Sequence, residues 1–142
     1  MQAIAALLAQ LLVIASQLSP YPTPTALPPA ELVPSSRLRA HGCVGQCRPN
    51  GIFAPAVGIL IDERLDLAKD VRARAVLVHE IVHYLQHLNH AHGELSPCDR
   101  YLLREREAYA AENRYLARHG LPPSFGYAFM LQTMDLRGCS LG

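Results

Sequence analysis

The feature that most constrains the fold is the run VLVHEIVHYLQH at positions 76–87. Its apolar residues recur at helical spacing, which predicts a helix with one face in the core. His79, Glu80 and His83 lie inside this apolar pattern. Because buried ionisable groups must be paired or bound, the rest of the chain has to provide partners for them. A pair of structural histidines, satisfied by hydrogen bonds, is the simpler interpretation of the run.

The spacing of the two histidines favours a metal site. Residues four apart on a helix lie on one face, one turn from each other, so His79 and His83 can bind one ion through their imidazole nitrogens. Glu80 is rotated about 100° from His79, which lets its carboxylate reach a water on that ion rather than the ion itself. This is the HExxH arrangement of two zinc ligands and a general base.

Catalytic Zn²⁺ usually has three protein ligands and an open water position, so a third ligand is needed. The longer pattern HExxHxxGxxH does not apply, because Gln86 and Asn89 occupy its glycine and third histidine positions. We expect His87, His90 and His92 to form a solvated or secondary metal-binding tail instead.

The next predicted helix offers the missing carboxylate, within REREAYAAENRYL at 104–116. One face of this helix has apolar ends and an acidic centre, and consists of Leu102, Glu105, Tyr109, Glu112 and Leu116. Glu105 is the predicted third ligand, with Glu107, about 160° away around the helix, as the alternative. Glu112, two turns further on, is predicted to hydrogen-bond a ligand histidine.

The remaining patterns predict one α+β domain over residues 1–142, with a small, mainly antiparallel sheet packed on the two helices. Residues 19–30 contain five of the eleven prolines and predict an extended connector. Strands are predicted at 31–34, 52–54 and 57–61, and helices at 71–89, from a cap at Ser96 to about 119, and at 124–134.

The first 18 residues allow two interpretations. Gln2, Gln10 and Gln17 fall on one helical stripe, and leucines and Ile4 occupy the opposite face, which favours an amphipathic helix packed on the domain. The segment could instead be the apolar region of a signal peptide, although it has no lysine or arginine near its start. It is too short and too interrupted by glutamine to predict a membrane span.

Four cysteines favour an extracytoplasmic protein with two disulfides, in the periplasm or secreted. The preferred pairing joins Cys43 to Cys47 and Cys98 to Cys139. Four unpaired thiols in a cytoplasmic protein, or a zinc site made by all four cysteines, are the alternatives.

The charge balance argues against one class of partner. The formal net charge is +1, from 13 basic and 12 acidic residues, and no basic stripe is present. We therefore expect no nucleic-acid partner.

Two motifs together resemble a known family. HEIVH at 79–83 is followed, 22 residues after its last histidine, by EREAY at 105–109. This pair resembles the minimal gluzincin-type zinc peptidases, in which HExxH is completed by the first glutamate of an ExxA pattern. It is also similar to small bacterial domains of unknown function that carry HExxH and ExEAY. The resemblance covers residues 57–116. It implies a zincin-like minimal metallopeptidase domain, but Tyr109 stands where many members have an aspartate that orients a ligand histidine.

The resemblance implies zinc-dependent hydrolysis of a peptide or protein substrate, with Glu80 as general base. It also implies that strand 57–62 is an edge strand that pairs with the extended substrate. The candidates for stabilising the oxyanion are Tyr84, Tyr101, Tyr109, Tyr115 and Tyr127. The alternatives are a non-catalytic zinc-binding or interaction domain of zincin shape, and an exported or membrane-anchored helper protein.

Overall fold

The computed structural model describes residues 2–42 and 49–133. The elements of this part of the chain follow in the order α1 (Gln2–Gln17), β1 (Ala30–Val33), α2 (Ser35–Gly42), β2 (Gly51–Ala54), β3 (Gly58–Asp62), α3 (Val71–Leu88), α4 (Pro97–Arg118) and α5 (Gly126–Thr133). The protein is α+β, as the sequence predicts, and α2 is the one described element that the sequence patterns did not indicate.

The three strands form a mixed sheet in the order β1-β3-β2. β1 is parallel to β3, with Ala30 opposite Ile59, and β2 is antiparallel to β3, with Gly51 opposite Ile61. The predicted mainly antiparallel sheet is therefore wrong for the β1–β3 pair. The physical reason is that α2 and β2 both intervene between β1 and β3, so the chain crosses over and enters β3 in the direction of β1.

β3 is the central strand, and all five of its residues are buried. The expectation that strand 57–62 is a substrate-pairing edge strand is therefore wrong. Ile59 and Ile61 face the main core, whereas Leu60 packs with Val33 and Leu38 in a smaller cluster on the other face. A continuous apolar run is typical of a strand that is covered on both faces.

α3 lies in the centre of the main core. The side chain of Asp70 accepts a hydrogen bond from the Arg72 backbone N–H and caps the helix, so the predicted start is confirmed. Leu77, Ile81 and Leu85 are fully buried. These apolar contacts hold the backbone around His79 and Glu80 in a fixed position.

α4 packs along α3. The Ser96 hydroxyl accepts from the Asp99 backbone N–H at 3.2 Å, and Pro97 is the first helical residue, which confirms the predicted start. After the helix, Gly120 has a φ of +70°, the left-handed conformation in which glycine commonly ends a helix. The two well-capped helices therefore form one unit that carries the histidines and the acidic residues.

α1 packs against α3 as an amphipathic helix. Its buried residues are Leu8, Leu11, Leu12 and Ala15, whereas Gln10 and Gln17 are exposed. Within the described ranges, no helix is both long enough and apolar enough to cross a membrane.

The proline-rich connector is fixed by side chains from three helices. Ser16 Oγ donates to the Tyr21 carbonyl at 2.6 Å, and Tyr84 Oη donates to the Ala26 carbonyl at 2.9 Å. Tyr21 Oη donates to Glu107 on α4. The connector therefore lies on the α3–α4 unit.

The disulfide pairing stays a prediction. Cys43, Cys47 and Cys139 lie outside the described residues, and Cys98 is in the first turn of α4.

The packing of α1 predicts a contrast between two substitutions. Leu11 is 1% exposed and Val13 is 45% exposed. Leu11→Ala should lower the free energy of unfolding by about 2–5 kcal/mol, because it leaves a cavity between α1 and the core. Val13→Ala should change it by no more than about 0.5 kcal/mol. Urea unfolding measures both values, and equal effects would contradict the packed position of α1.

Candidate metal centre

The imidazoles of His79 and His83 converge from successive turns of α3. Their Nε2 atoms are 3.2 Å apart, and the ring planes meet at 74°. His79 is 6% exposed, so its ring lies almost entirely out of water. The predicted placement on one helical face therefore brings the two nitrogens to a single point.

Glu105 completes this point from α4. One carboxylate oxygen lies 3.1 Å from His79 Nε2, and the other lies 3.2 Å from His83 Nε2. The carboxylate of Glu107 lies elsewhere, against Tyr21 and Gln86. Of the two carboxylates proposed from the sequence, the structure brings Glu105 to the histidines, because residues two apart on a helix point in nearly opposite directions.

Each imidazole also has a partner at its other ring nitrogen. Glu112 Oε1 lies 2.9 Å from His79 Nδ1, which is the placement expected for a residue that orients a ligand histidine. Gln86 Oε1 lies 2.8 Å from His83 Nδ1. Sequence reasoning missed Gln86, and the available signal was a glutamine three residues after His83 in an otherwise apolar helix.

The carboxylates strongly change the proton affinity of the site. Burial lowers the pKa of His79, but hydrogen bonds to Glu105 and Glu112 outweigh burial and raise it to about 10. Burial raises the pKa of Glu105, but hydrogen bonds to His79 and His83 outweigh it and hold the pKa well below its usual range. In the metal-free protein, a proton on His79 therefore provides positive charge between carboxylates.

Glu80 borders the same point but has a different environment. Ligand atoms of His79, Glu80 and His83 lie within 4.8 Å of one another, whereas Glu105 lies closer, at hydrogen-bond distance from both rings. Glu80 is 6% exposed, so its carboxylate lies largely out of water beside the two rings. Burial raises the pKa of Glu80, against the opposing effect of the two histidines. Glu105 is therefore the better-placed ligand, and Glu80 is a buried carboxylate with raised proton affinity.

β2 runs beside Glu80 at the edge of the sheet. A Cβ at Gly51 would lie 2.8 Å from Ile61 Cδ1 and 3.2 Å from Glu80 Cγ. Glycine at this position therefore allows the strand to approach α3 closely. In the described ranges, no strand pairs with the other edge of β2.

Two tyrosines flank Glu105 at one helical turn on either side. The ring of Tyr109 lies 4.4 Å from that of His79, at 72°. Burial, followed by the charge of Glu105, raises the pKa of both Tyr101 and Tyr109. Both hydroxyls therefore keep their protons and can donate hydrogen bonds.

Two of the other candidate tyrosines are bonded elsewhere. Tyr84 Oη donates to the Ala26 carbonyl, and Tyr115 Oη accepts from Arg74 at 3.1 Å. Tyr127 packs against the ring of Tyr109 at a centroid distance of 5.9 Å. The structure thus leaves Tyr101 and Tyr109, whose hydroxyls experience the charge of Glu105.

The downstream histidines do not join the centre. His87 and His90 are exposed, as expected for a solvated tail. His92 lies against Glu107, with Nε2 3.2 Å from Oε2.

Comparison with protein-family models, with curated proteins and with solved structures gives no match for this chain.

The donor set fits a zinc ion. A tetrahedral ion with bonds of about 2.0–2.1 Å requires its ligand atoms to be about 3.3 Å apart. The two Nε2 atoms are 3.2 Å apart, and a separate oxygen of the Glu105 carboxylate faces each of them, at 3.1 Å from His79 Nε2 and 3.2 Å from His83 Nε2. Two imidazoles and a carboxylate with an open fourth position are the usual ligands of catalytic zinc.

The raised pKa of His79 predicts how stability depends on pH without metal. The pKa rises from 6.5 to about 10, so the folded state holds this proton more tightly than the unfolded state. Its stabilising contribution is complete below pH 6.5 and is lost as the pH rises towards about 10. The difference in free energy of unfolding between the wild type and His79→Gln should therefore shrink over this range.

Urea unfolding with a chelator present measures that difference. The control is His90→Asn, which removes an exposed histidine outside the centre. A constant difference for His79→Gln would contradict the raised pKa.

Proposed function

We propose that this protein is a zinc-dependent peptidase. The observation that carries the proposal is the convergence of the two Nε2 atoms, 3.2 Å apart, on the Glu105 carboxylate, whose oxygens lie 3.1 Å from His79 Nε2 and 3.2 Å from His83 Nε2. In the metal-free protein a proton on His79 compensates the carboxylate; once that proton is lost and both rings donate from Nδ1, no hydrogen remains between these atoms. A cation is then needed to hold them together.

His79, His83 and Glu105 would hold the zinc ion. When bound, zinc contributes Lewis acidity, which makes a water more acidic and polarises a carbonyl. The remaining steps belong to side chains of this chain.

Glu80 is the proposed general base. Its burial raises its pKa, and a base is most effective when its pKa is near the working pH. Glu80 would take a proton from the attacking water and pass it to the leaving amine. Tyr101 or Tyr109 would donate a hydrogen bond to the oxyanion, since both hydroxyls stay protonated near Glu105.

The substrate would bind along β2 rather than β3. β2 is an edge strand of the sheet and lies beside Glu80 at Gly51. An extended peptide can add to such an edge through backbone hydrogen bonds, which would bring its carbonyl groups past the proposed base.

The metal assignment predicts the zinc content of a set of variants. Wild type should bind one equivalent of zinc, and His83→Ala and Glu105→Ala should bind less than one, because each loses a ligand. His90→Asn is the matched control and should retain the full equivalent. Elemental analysis after dialysis measures the content, and wild-type protein without zinc would contradict the proposal.

The general-base assignment predicts that activity and zinc content separate. Glu80→Gln should retain zinc but lower kcat/KM for peptide hydrolysis about 10²–10⁴-fold, because the amide cannot take the proton. Cleavage of a peptide library by wild type defines the assay substrate. Full activity of Glu80→Gln would contradict the mechanism. Stoichiometric zinc without cleavage of any peptide by wild type would favour a non-catalytic zinc-binding domain.

A further inference from the structure

Gln86 is a polar side chain in the centre of the core. Gln86 is 0% exposed, and its side-chain amide forms three hydrogen bonds. Its Oε1 lies 2.8 Å from His83 Nδ1. Its Nε2 donates to the Arg104 carbonyl at 2.8 Å and to Glu107 Oε1 at 3.0 Å.

The partners of the amide nitrogen determine which way the amide faces. A backbone carbonyl and a carboxylate can only accept hydrogen bonds, so the NH₂ group must point at Arg104 and Glu107. The amide oxygen then has to point at His83, and this oxygen can also only accept. His83 Nδ1 must therefore carry a hydrogen.

Glu107 is itself held from the opposite side. Tyr21 Oη donates to Glu107 Oε1, the oxygen that also accepts from Gln86. Tyr21 is anchored in turn, because its carbonyl accepts from Ser16 Oγ at 2.6 Å. The line of hydrogen bonds thus runs from the connector through α4 to the ring of His83.

We propose that Gln86, held by Glu107 and the Arg104 carbonyl, is a positioning residue that keeps a hydrogen on His83 Nδ1, so that Nε2 is the nitrogen that can offer its lone pair to the metal centre. The role of that lone pair rests on the proposed function, whereas the hydrogen on Nδ1 does not require a metal. Glu107, the alternative ligand in the sequence, acts in this scheme behind the ligand rather than as one.

The two histidines are thereby oriented by different chemistry. His79 has a carboxylate, Glu112, at Nδ1, whereas His83 has a neutral amide. Glu80 and Glu105 already place negative charge next to the two rings. A neutral acceptor orients the second ring without adding another carboxylate in direct contact with it, and like charges at such distances in a buried site are costly.

A space-filling role would make a different demand on this position. Leucine has a similar volume to glutamine, so it could fill the core but could not accept a hydrogen bond from His83. The proposal is therefore tested by Gln86→Leu. The measurement is which nitrogen atoms of each histidine ring carry a hydrogen.

The experiment records ¹⁵N–¹H correlations of the histidine rings in the metal-free protein, followed by a zinc titration. Wild-type His83 should carry a hydrogen on Nδ1. In Gln86→Leu it should shift towards Nε2–H, and the Kd for zinc should rise about 10–100-fold, as for other partners of ligand histidines. The signals of His79 should stay unchanged, because Glu105 and Glu112 determine them.

Tyr21→Phe is the control, because it removes a donor to Glu107 and leaves both amide partners of Gln86 in place. It should preserve the His83 tautomer. An Nε2–H tautomer in wild type would overturn the proposal without the need for any variant. An unchanged tautomer in Gln86→Leu, or equal changes at His79 and His83, would also overturn it. Wild type with the Nδ1–H tautomer but no zinc affinity would refute the metal function and leave the tautomer assignment standing.

Discussion

The burial of ionisable groups between α3 and α4 is the constraint on which the rest of the structure depends. Removing a charged group from water costs several kcal/mol unless it is paired and hydrogen-bonded. Here, His79, Glu80 and Glu112 are each at most 8% exposed. The two helices must therefore pack in one register, in which every ring nitrogen of the histidine pair has a partner on the same unit.

That register explains several features outside the centre. α4 needs Glu105 and Glu112 on a single face, so that both reach His79 from positions two turns apart. The opposite side of α4 places Glu107 against Gln86 and Tyr21, which ties the connector to the same pair of helices. The glycine at position 51 lets the edge strand approach Glu80. The core, the connector and the edge of the sheet thus all adapt to one polar cluster.

The same groups affect both the stability of the folded protein and its proposed metal binding. Without metal, a proton on His79 compensates the carboxylates, which is why its pKa is raised to about 10. A metal ion would take over that role and displace the proton, so binding depends on pH. The proton that compensates the carboxylates is therefore the one that a metal has to replace.

Local rules were sufficient for the helices and for part of the centre. Helical periodicity predicted both long helices, and Ser96 marked the start of the second, since capping signals act within one turn. The angle between neighbouring helical positions also favoured Glu105 over Glu107. Sheet order could not be derived in this way, because it depends on contacts between segments that are far apart in the chain. The sequence patterns also did not predict α2, the helix through which the chain crosses over from β1.

The sequence by itself determined that two imidazoles and a glutamate would lie in an apolar helix, and that an acidic helical face would follow. Only the tertiary structure decided that β3 is central and β2 is an edge strand, and that an amide, Gln86, rather than a carboxylate faces His83 Nδ1. The physical reason is that spacing along a helix defines directions, whereas the partner met in a given direction depends on how separate elements pack. A buried glutamine shows its role only when the donors and acceptors around it are known.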